Sequence, residues 1–159
     1  MINILKIYEL RRKVSIPAPV EDVFSFFSNT ENLNLIMPPW LYFNILTPLP
    51  FKMEKNVLID YSIKLLGLRL IWNTEITVWQ PPHKFVDIQI KGPYRVWEHT
   101  HLFEEKEGGT QMEDVIRYAV PGFVLSPLIH FLIVRPRLEN IFAFREQRIL
   151  ELFTSRETG

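Results

Sequence analysis

The spacing of apolar residues along the chain predicts a first strand, two short helices, a run of further strands and a long terminal helix. Residues 4–16 alternate loosely between apolar and polar side chains, which predicts a first strand. A proline-bounded stretch follows, and its apolar residues from Val20 to Phe27 fall on one face, which predicts a short helix. A second short helix should have Thr30 as its N-cap and end before Pro38.

From Leu41 onward, apolar and polar residues alternate between turn residues, a pattern typical of an antiparallel meander. Six further strands are predicted near residues 41–48, 56–65, 68–79, 84–91, 95–105 and 110–120. Together with the first strand they predict a seven-stranded antiparallel sheet.

The turn residues Leu66-Gly67 predict a register that the side-chain pattern supports. With a two-residue turn, Ile63 lies opposite Leu70 and Tyr61 opposite Trp72, so apolar residues face apolar residues.

A second hairpin turn, predicted at Gly108-Gly109, places polar residues in the interior. A two-residue turn there puts Phe103 opposite Asp114, His99 opposite Tyr118 and His101 diagonally across from Asp114. Buried polar groups cost free energy unless they are hydrogen-bonded. His99, His101 and Asp114 are therefore the sharpest candidates for a functional site.

The tail, from Pro121 to Phe153, has the apolar spacing of a helix. Ser126 and Pro127 are expected as N-cap and first helical residue. Pro136 interrupts the periodic run, which predicts a kink or break near residues 134–135.

Phe123–Val134, the first part of this tail, is apolar almost all round. We expect it to pack in the core as the first helical turns. A lid over a cavity, a homodimer contact and shallow membrane docking are the alternatives.

Composition excludes several classes of protein. Eighteen basic residues balance eighteen acidic ones, so the excess positive charge typical of nucleic-acid binding is absent. The sequence has no cysteine, which excludes disulfides and thiolate metal sites. With 47% apolar residues, no spanning apolar run and no secretory signal, we expect a single cytoplasmic domain over residues 1–159 without a transmembrane segment.

The order of strand, two short helices, meander and terminal helix resembles the helix-grip fold of the START/Bet v 1-like superfamily, also called SRPBCC proteins. The likeness covers essentially the whole chain. A more specific pattern is carried by Gly92, Pro93, Tyr94, Trp97, His99, His101, Phe103, Gly108, Gly109, Thr110, Asp114, Tyr118 and Pro121. This pattern, and "IFAFREQRI" in the tail, are similar to a bacterial ligand-binding SRPBCC subgroup.

The resemblance implies an α+β helix-grip fold in which a seven-stranded curved sheet surrounds a long C-terminal helix and encloses an apolar cavity. Members of the superfamily bind lipids, sterols or polyketides, and some catalyse cyclisation or dehydration. We therefore expect a hydrophobic or aromatic small molecule, lipid-, polyketide- or sterol-like, to bind between sheet and helix, and no cofactor. A polyketide cyclase/dehydratase-type enzyme without metal, or a protein-interaction accessory module, are the alternatives.

The predicted ligand-binding residues combine the inward face of the meander with one face of the terminal helix. They are Tyr61, Trp72, Thr74, Asp87, Gln89, Trp97, His99, His101, Phe103, Met112, Asp114, Tyr118, Leu138, Ile141, Phe142 and Arg145. An apolar lining with a few convergent polar groups is typical of small-molecule pockets. The alternative is that these residues simply fill the core.

Three interpretations of the polar residues compete. As a hydrogen-bonded network, they would offer one polar end to a ligand, and we favour this. As an acid–base pair, a histidine oriented by Asp114 would move a proton while Tyr118 polarises a carbonyl. As a metal site they are disfavoured, because H-x-H spaces its ligands by roughly 7 Å along a strand.

The direction in which the Asp87 and Gln89 side chains point depends on the length of the turn that follows them. A two-residue turn at Gly92-Pro93 would point both side chains to solvent. A three-residue turn, extended to Tyr94, would bring Asp87 opposite His99, and the resemblance favours this alternative.

Overall fold

The computed structural model describes residues 5–155, which form one antiparallel sheet and four α-helices. The strands are β1 (Tyr8–Ile16), β2 (Asn44–Ile45), β3 (Leu58–Leu65), β4 (Leu68–Gln80), β5 (Lys84–Lys91), β6 (Val96–Lys106) and β7 (Gly109–Ala119). The helices are α1 (Val20–Ser28), α2 (Leu33–Ile36), α3 (Ser126–Ile129) and α4 (Arg135–Thr154). The predicted first strand began at residue 4, which lies outside the described residues.

The sheet has seven strands in the order β1-β7-β6-β5-β4-β3-β2. The predicted α+β helix-grip fold, with its curved sheet and long C-terminal helix, is confirmed. The apolar face of α4 contacts two core clusters. Leu138 and Phe142 pack with Trp72 and Trp97, whereas Ile149 packs with the phenylalanines of α1.

The β3–β4 hairpin has the predicted register. Tyr61 pairs with Trp72 and Ile63 with Leu70.

The β6–β7 hairpin is shifted by two residues from its prediction, which was wrong in register. His101 lies opposite Asp114, and Lys106 pairs with Gly109, so Glu107 and Gly108 form the turn. Gly109 belongs to the ladder because its backbone approaches the carbonyl of Ile16, where a Cβ atom would overlap that oxygen. A shift of two residues preserves which side chains point inward, so the predicted face is correct.

The β5–β6 connection follows the three-residue alternative. Asp87 pairs with His99 across the two strands. The Asp87 side chain therefore joins the two histidines.

Three local predictions were wrong. Asn29, rather than Thr30, accepts a hydrogen bond from the Glu31 amide and starts a 3-10 turn. The strand predicted at residues 41–48 is only Asn44–Ile45, because a 3-10 turn and a left-handed Tyr42 precede it.

The third local error concerns the start of the tail. Ser126 does not cap a helix, since it is already the first residue of α3 and makes no capping bond. A π-helical turn, His130–Val134, comes directly before α4. It lies where Pro136 led us to expect a break.

Phe123–Val134 does not pack in the core, contrary to expectation. Val124 is 90% exposed and Phe131 72% exposed, and only His130 of this segment is buried. Its role as a contact with a second copy or a membrane stays a prediction. None of the helices within residues 5–155 combines the length and apolar composition that a bilayer span requires.

The close approach of Gly109 to β1 generates a stability prediction. Replacing Gly109 with alanine should reduce the free energy of unfolding by at least about 2 kcal/mol more than replacing Gly108 does. The reason is that only the methyl group added at position 109 would clash with backbone atoms. Gly108 has φ +82° with open space around it, so G108A should cost only about 1 kcal/mol. Urea denaturation of both variants measures the difference, and equal losses would contradict the packing argument.

Candidate functional site

A cavity of about 260 Å³ lies between β3, β4, β6 and α4. It exceeds the roughly 150 Å³ of an engineered apolar cavity that holds benzene. Leu66, Pro93, Pro121 and Ile133 border it where side chains are partly exposed, which marks the mouth. The cavity is thus large enough for a small organic molecule.

Nine of the sixteen predicted ligand-binding residues line this cavity. They are Tyr61, Trp72, Asp87, Trp97, His99, Leu138, Ile141, Phe142 and Arg145. A second, smaller cavity of about 80 Å³ shares Tyr61, Asp87, His99 and Arg145 with the first and adds Thr74 and His101. The shared residues form a partly polar wall between the two spaces.

Five predicted residues line neither cavity. Phe103 and Met112 are buried in the core cluster beside α1. The Tyr118 hydroxyl lies 2.9 Å from Nε2 of His130, and its carbonyl-polarising role in the acid–base interpretation stays a prediction. Gln89 exchanges two hydrogen bonds with the backbone of Tyr94 and braces the β5–β6 connection.

Asp114 is the fifth predicted residue that lines neither cavity. It is hydrogen-bonded to His99, which does line the cavity. Its Oδ1 atom is 2.7 Å from Nε2 of His99 and 3.4 Å from Nδ1 of His101. Asp87 completes the cluster, because its Oδ2 atom is 2.9 Å from Nε2 of His101 and 3.7 Å from Nδ1 of His99. Each imidazole therefore lies between two carboxylates.

Prediction from the sequence missed several lining residues. Met37, Leu41, Leu65, Leu66, Pro93, Tyr94, Val120, Pro121, Ile129, Ile133, Val134 and Arg137 all contribute. Helical spacing contained a signal for Arg137, which precedes Ile141 by one turn. No pattern indicated Met37 or Leu41, since they reach the cavity from irregular segments.

The surroundings of His99 and His101 shift the pKa values of the two imidazoles in opposite directions. Burial, and the neighbouring His101, lower the pKa of His99 despite its bond to Asp114. Burial acts in the same sense on His101, but the carboxylates of Asp114 and Asp87 outweigh it and raise the pKa of His101. Burial would raise the pKa of Asp114, yet the two histidines hold that pKa far below its usual range.

These directions assign the protons. An ionised Asp114 can only accept, so His99 donates to it from Nε2–H. Neutral His99 then keeps its lone pair on Nδ1, on the side of Asp87. His101 donates to Asp87 from Nε2–H.

Asp87, His99 and His101 offer ligand atoms that all lie within 4.8 Å of one another, a set able to hold a divalent ion. The spacing argument against a metal was wrong, because the two rings converge with centroids 3.8 Å apart. That this chain binds no metal and no cofactor stays a prediction.

The family model described as polyketide cyclase / dehydrase and lipid transport matches residues 16–145. No curated protein matches the chain in sequence.

Solved structures share the fold at low sequence identity. Protein Ms6760 from Mycobacterium smegmatis is 17% identical with a TM-score of 0.68, over 93% of this chain and 92% of that one. CV1439 from Chromobacterium violaceum is 11% identical with a TM-score of 0.71, over 92% and 97%. The di-domain ARO/CYC StfQ from the steffimycin biosynthetic pathway is 12% identical with a TM-score of 0.70, over 96% of this chain and 52% of StfQ.

The raised pKa of His101 generates a pH-dependence prediction. The stability that its charge contributes is complete below the unfolded value of about 6.5 and is lost as pH rises through the folded value. The loss of unfolding free energy in His101→Gln should therefore be larger near pH 6 than near pH 9.

Urea denaturation at the two pH values measures this difference. Thr100→Val, on the opposite face of the same strand, is the non-titrating control, and its effect should not change with pH. A loss in His101→Gln that is constant with pH would contradict the charge assignment.

Proposed function

Because the chain belongs to the polyketide cyclase / dehydrase and lipid transport family, we propose that it binds a hydrophobic or aromatic small molecule between sheet and terminal helix. The observation that carries the proposal is the cavity of about 260 Å³ with apolar walls and one polar end. Apolar surfaces with few, localised polar groups bind apolar ligands and orient them.

The aromatic side chains supply the contact surface. Trp72 packs against Trp97 edge-to-face with ring centroids 5.0 Å apart, and Tyr94 lies 4.8 Å from Trp97. All three rings line the cavity, as do Leu138 and Phe142 of α4. A ligand with a ring would find offset and edge contacts here, which stabilise aromatic pairs beyond area burial alone.

A probe-binding experiment tests the proposal. The neutral fluorophore N-phenyl-1-naphthylamine should bind with enhanced emission, and Ile141→Trp should weaken its binding at least about tenfold, because the larger side chain fills the cavity. Ile71→Trp, on the exposed outer side of β4, is the matched control and should bind like wild type.

Circular dichroism establishes that each variant is folded. Ile133→Trp at the mouth replaces Ile141→Trp if the latter does not fold. Failure of the wild-type protein to bind the probe, or unaltered binding by the filled variants, would overturn the cavity proposal.

The position of His99 favours a second function, of cyclase or dehydratase type. Its lowered pKa keeps the ring neutral, Asp114 orients it, and it lines both cavities. Nδ1 would take a proton from a terminal α-carbon of a bound poly-β-ketone, and the resulting enolate would attack the distal carbonyl of the same molecule and close a six-membered ring. The imidazolium returns this proton to the new alkoxide. Nδ1 then takes a second α-proton as the hydroxyl group leaves, and together they form one water.

A linear 1,3,5-triketone tests this chemistry, with loss of one water followed by mass spectrometry. His99→Gln should lower the rate at least about a hundredfold while binding of the triketone changes little, because general-base catalysis contributes that much. Equal loss of rate and binding, or no conversion by the wild-type protein, would leave plain ligand binding as the function.

A further inference from the structure

The cavity contains a buried cation that no described residue neutralises by direct contact. Arg145 is only 6% exposed, and its Nε and Nη2 atoms are buried without a hydrogen-bond partner. Within residues 5–155, no ion pair of Arg145 is found. Its guanidinium lies 5.1 Å from the centre of the Phe142 ring, and its charge helps to lower the pKa of Asp114 without a direct contact. A guanidinium stays charged inside proteins, so unmet donors there are costly.

Two more donors without acceptors line the same cavity. They are Nε1 of Trp72, which is buried, and Nη1 of Arg137. Arg137 precedes Arg145 by eight residues on α4, which separates them by about 12 Å along the helix axis. The cavity therefore has hydrogen-bond donors without acceptors at Arg145, at Trp72 and, about two turns away on α4, at Arg137.

The nearby carboxylates bond to the histidines and not to Arg145. Asp114 binds His99, and Asp87 binds His101. The Nε and Nη2 atoms of Arg145 are therefore left for a ligand. A ligand that satisfies these donors must bring acceptor atoms.

We propose that the ligand is an aromatic or short-chain carboxylic acid whose carboxylate is held by Arg145 while its apolar body lies against Trp72, Trp97 and Leu138. This inference rests on the proposed binding function and specifies its ligand class. Carboxylate fits the planar fork of a guanidinium with two parallel hydrogen bonds.

A matched ligand pair tests the inference. The wild-type protein should bind 2-naphthoate about tenfold to a hundredfold more tightly than its neutral isostere 2-naphthamide, since a hydrogen-bonded charge contributes that much. Quenching of tryptophan fluorescence reports both affinities, because Trp72 and Trp97 line the cavity.

Arg145→Met should abolish the preference for the acid while 2-naphthamide still binds. Arg148→Met is the control, because Arg148 lies on the outer side of the same helix, paired with Glu151, and it should retain the preference. If Arg145→Met does not fold, Arg145→Lys decides, since it keeps the charge but loses the fork: the preference should fall severalfold.

The outcomes separate this inference from the proposed function. Equal binding of acid and amide by the wild-type protein, or a preference that persists in Arg145→Met or is unchanged in Arg145→Lys, overturns the carboxylate assignment and leaves the binding function intact. Binding of neither naphthalene compound nor of N-phenyl-1-naphthylamine overturns both.

Discussion

The packing of α4 across the concave side of the sheet is the contact on which the rest of the structure depends. Leu138 and Phe142 complete the core cluster that contains the tryptophans, and Ile149 and Phe153 complete the cluster beside α1. Between these anchors the helix presents Arg145. Because both ends of the helix face are fixed by apolar burial, the first half of the helix can line a cavity and still be held in place.

Four polar side chains, Asp87, His99, His101 and Asp114, lie together beside this cavity. Buried imidazoles and carboxylates are costly singly, but strands β5, β6 and β7 place them so that each histidine lies between two aspartates. The result is an electrostatically asymmetric pair, with the pKa of one histidine lowered and that of the other raised. Such separation of neighbouring groups is common at functional sites.

The Phe123–Val134 segment is apolar, whereas the inner end of the cavity is polar. Phe123–Val134 exposes apolar side chains close to the mouth, whereas Asp87, His99 and Arg145 place polar and charged groups at the inner end. A ligand with one apolar and one anionic end would match this polarity along the cavity.

Alternation along the sequence determined which side chains point inward, because the period of a strand is two and survives even the register error in the β6–β7 hairpin. It therefore predicted the inward histidines and Asp114, and the face of α4. Only the tertiary structure decided which of these residues meet. Gly109 belongs to the ladder because β1 lies against it, Tyr118 bonds His130 from a distant segment, and Arg145 is left without a partner. Each depends on atoms far apart in sequence, which no local pattern records.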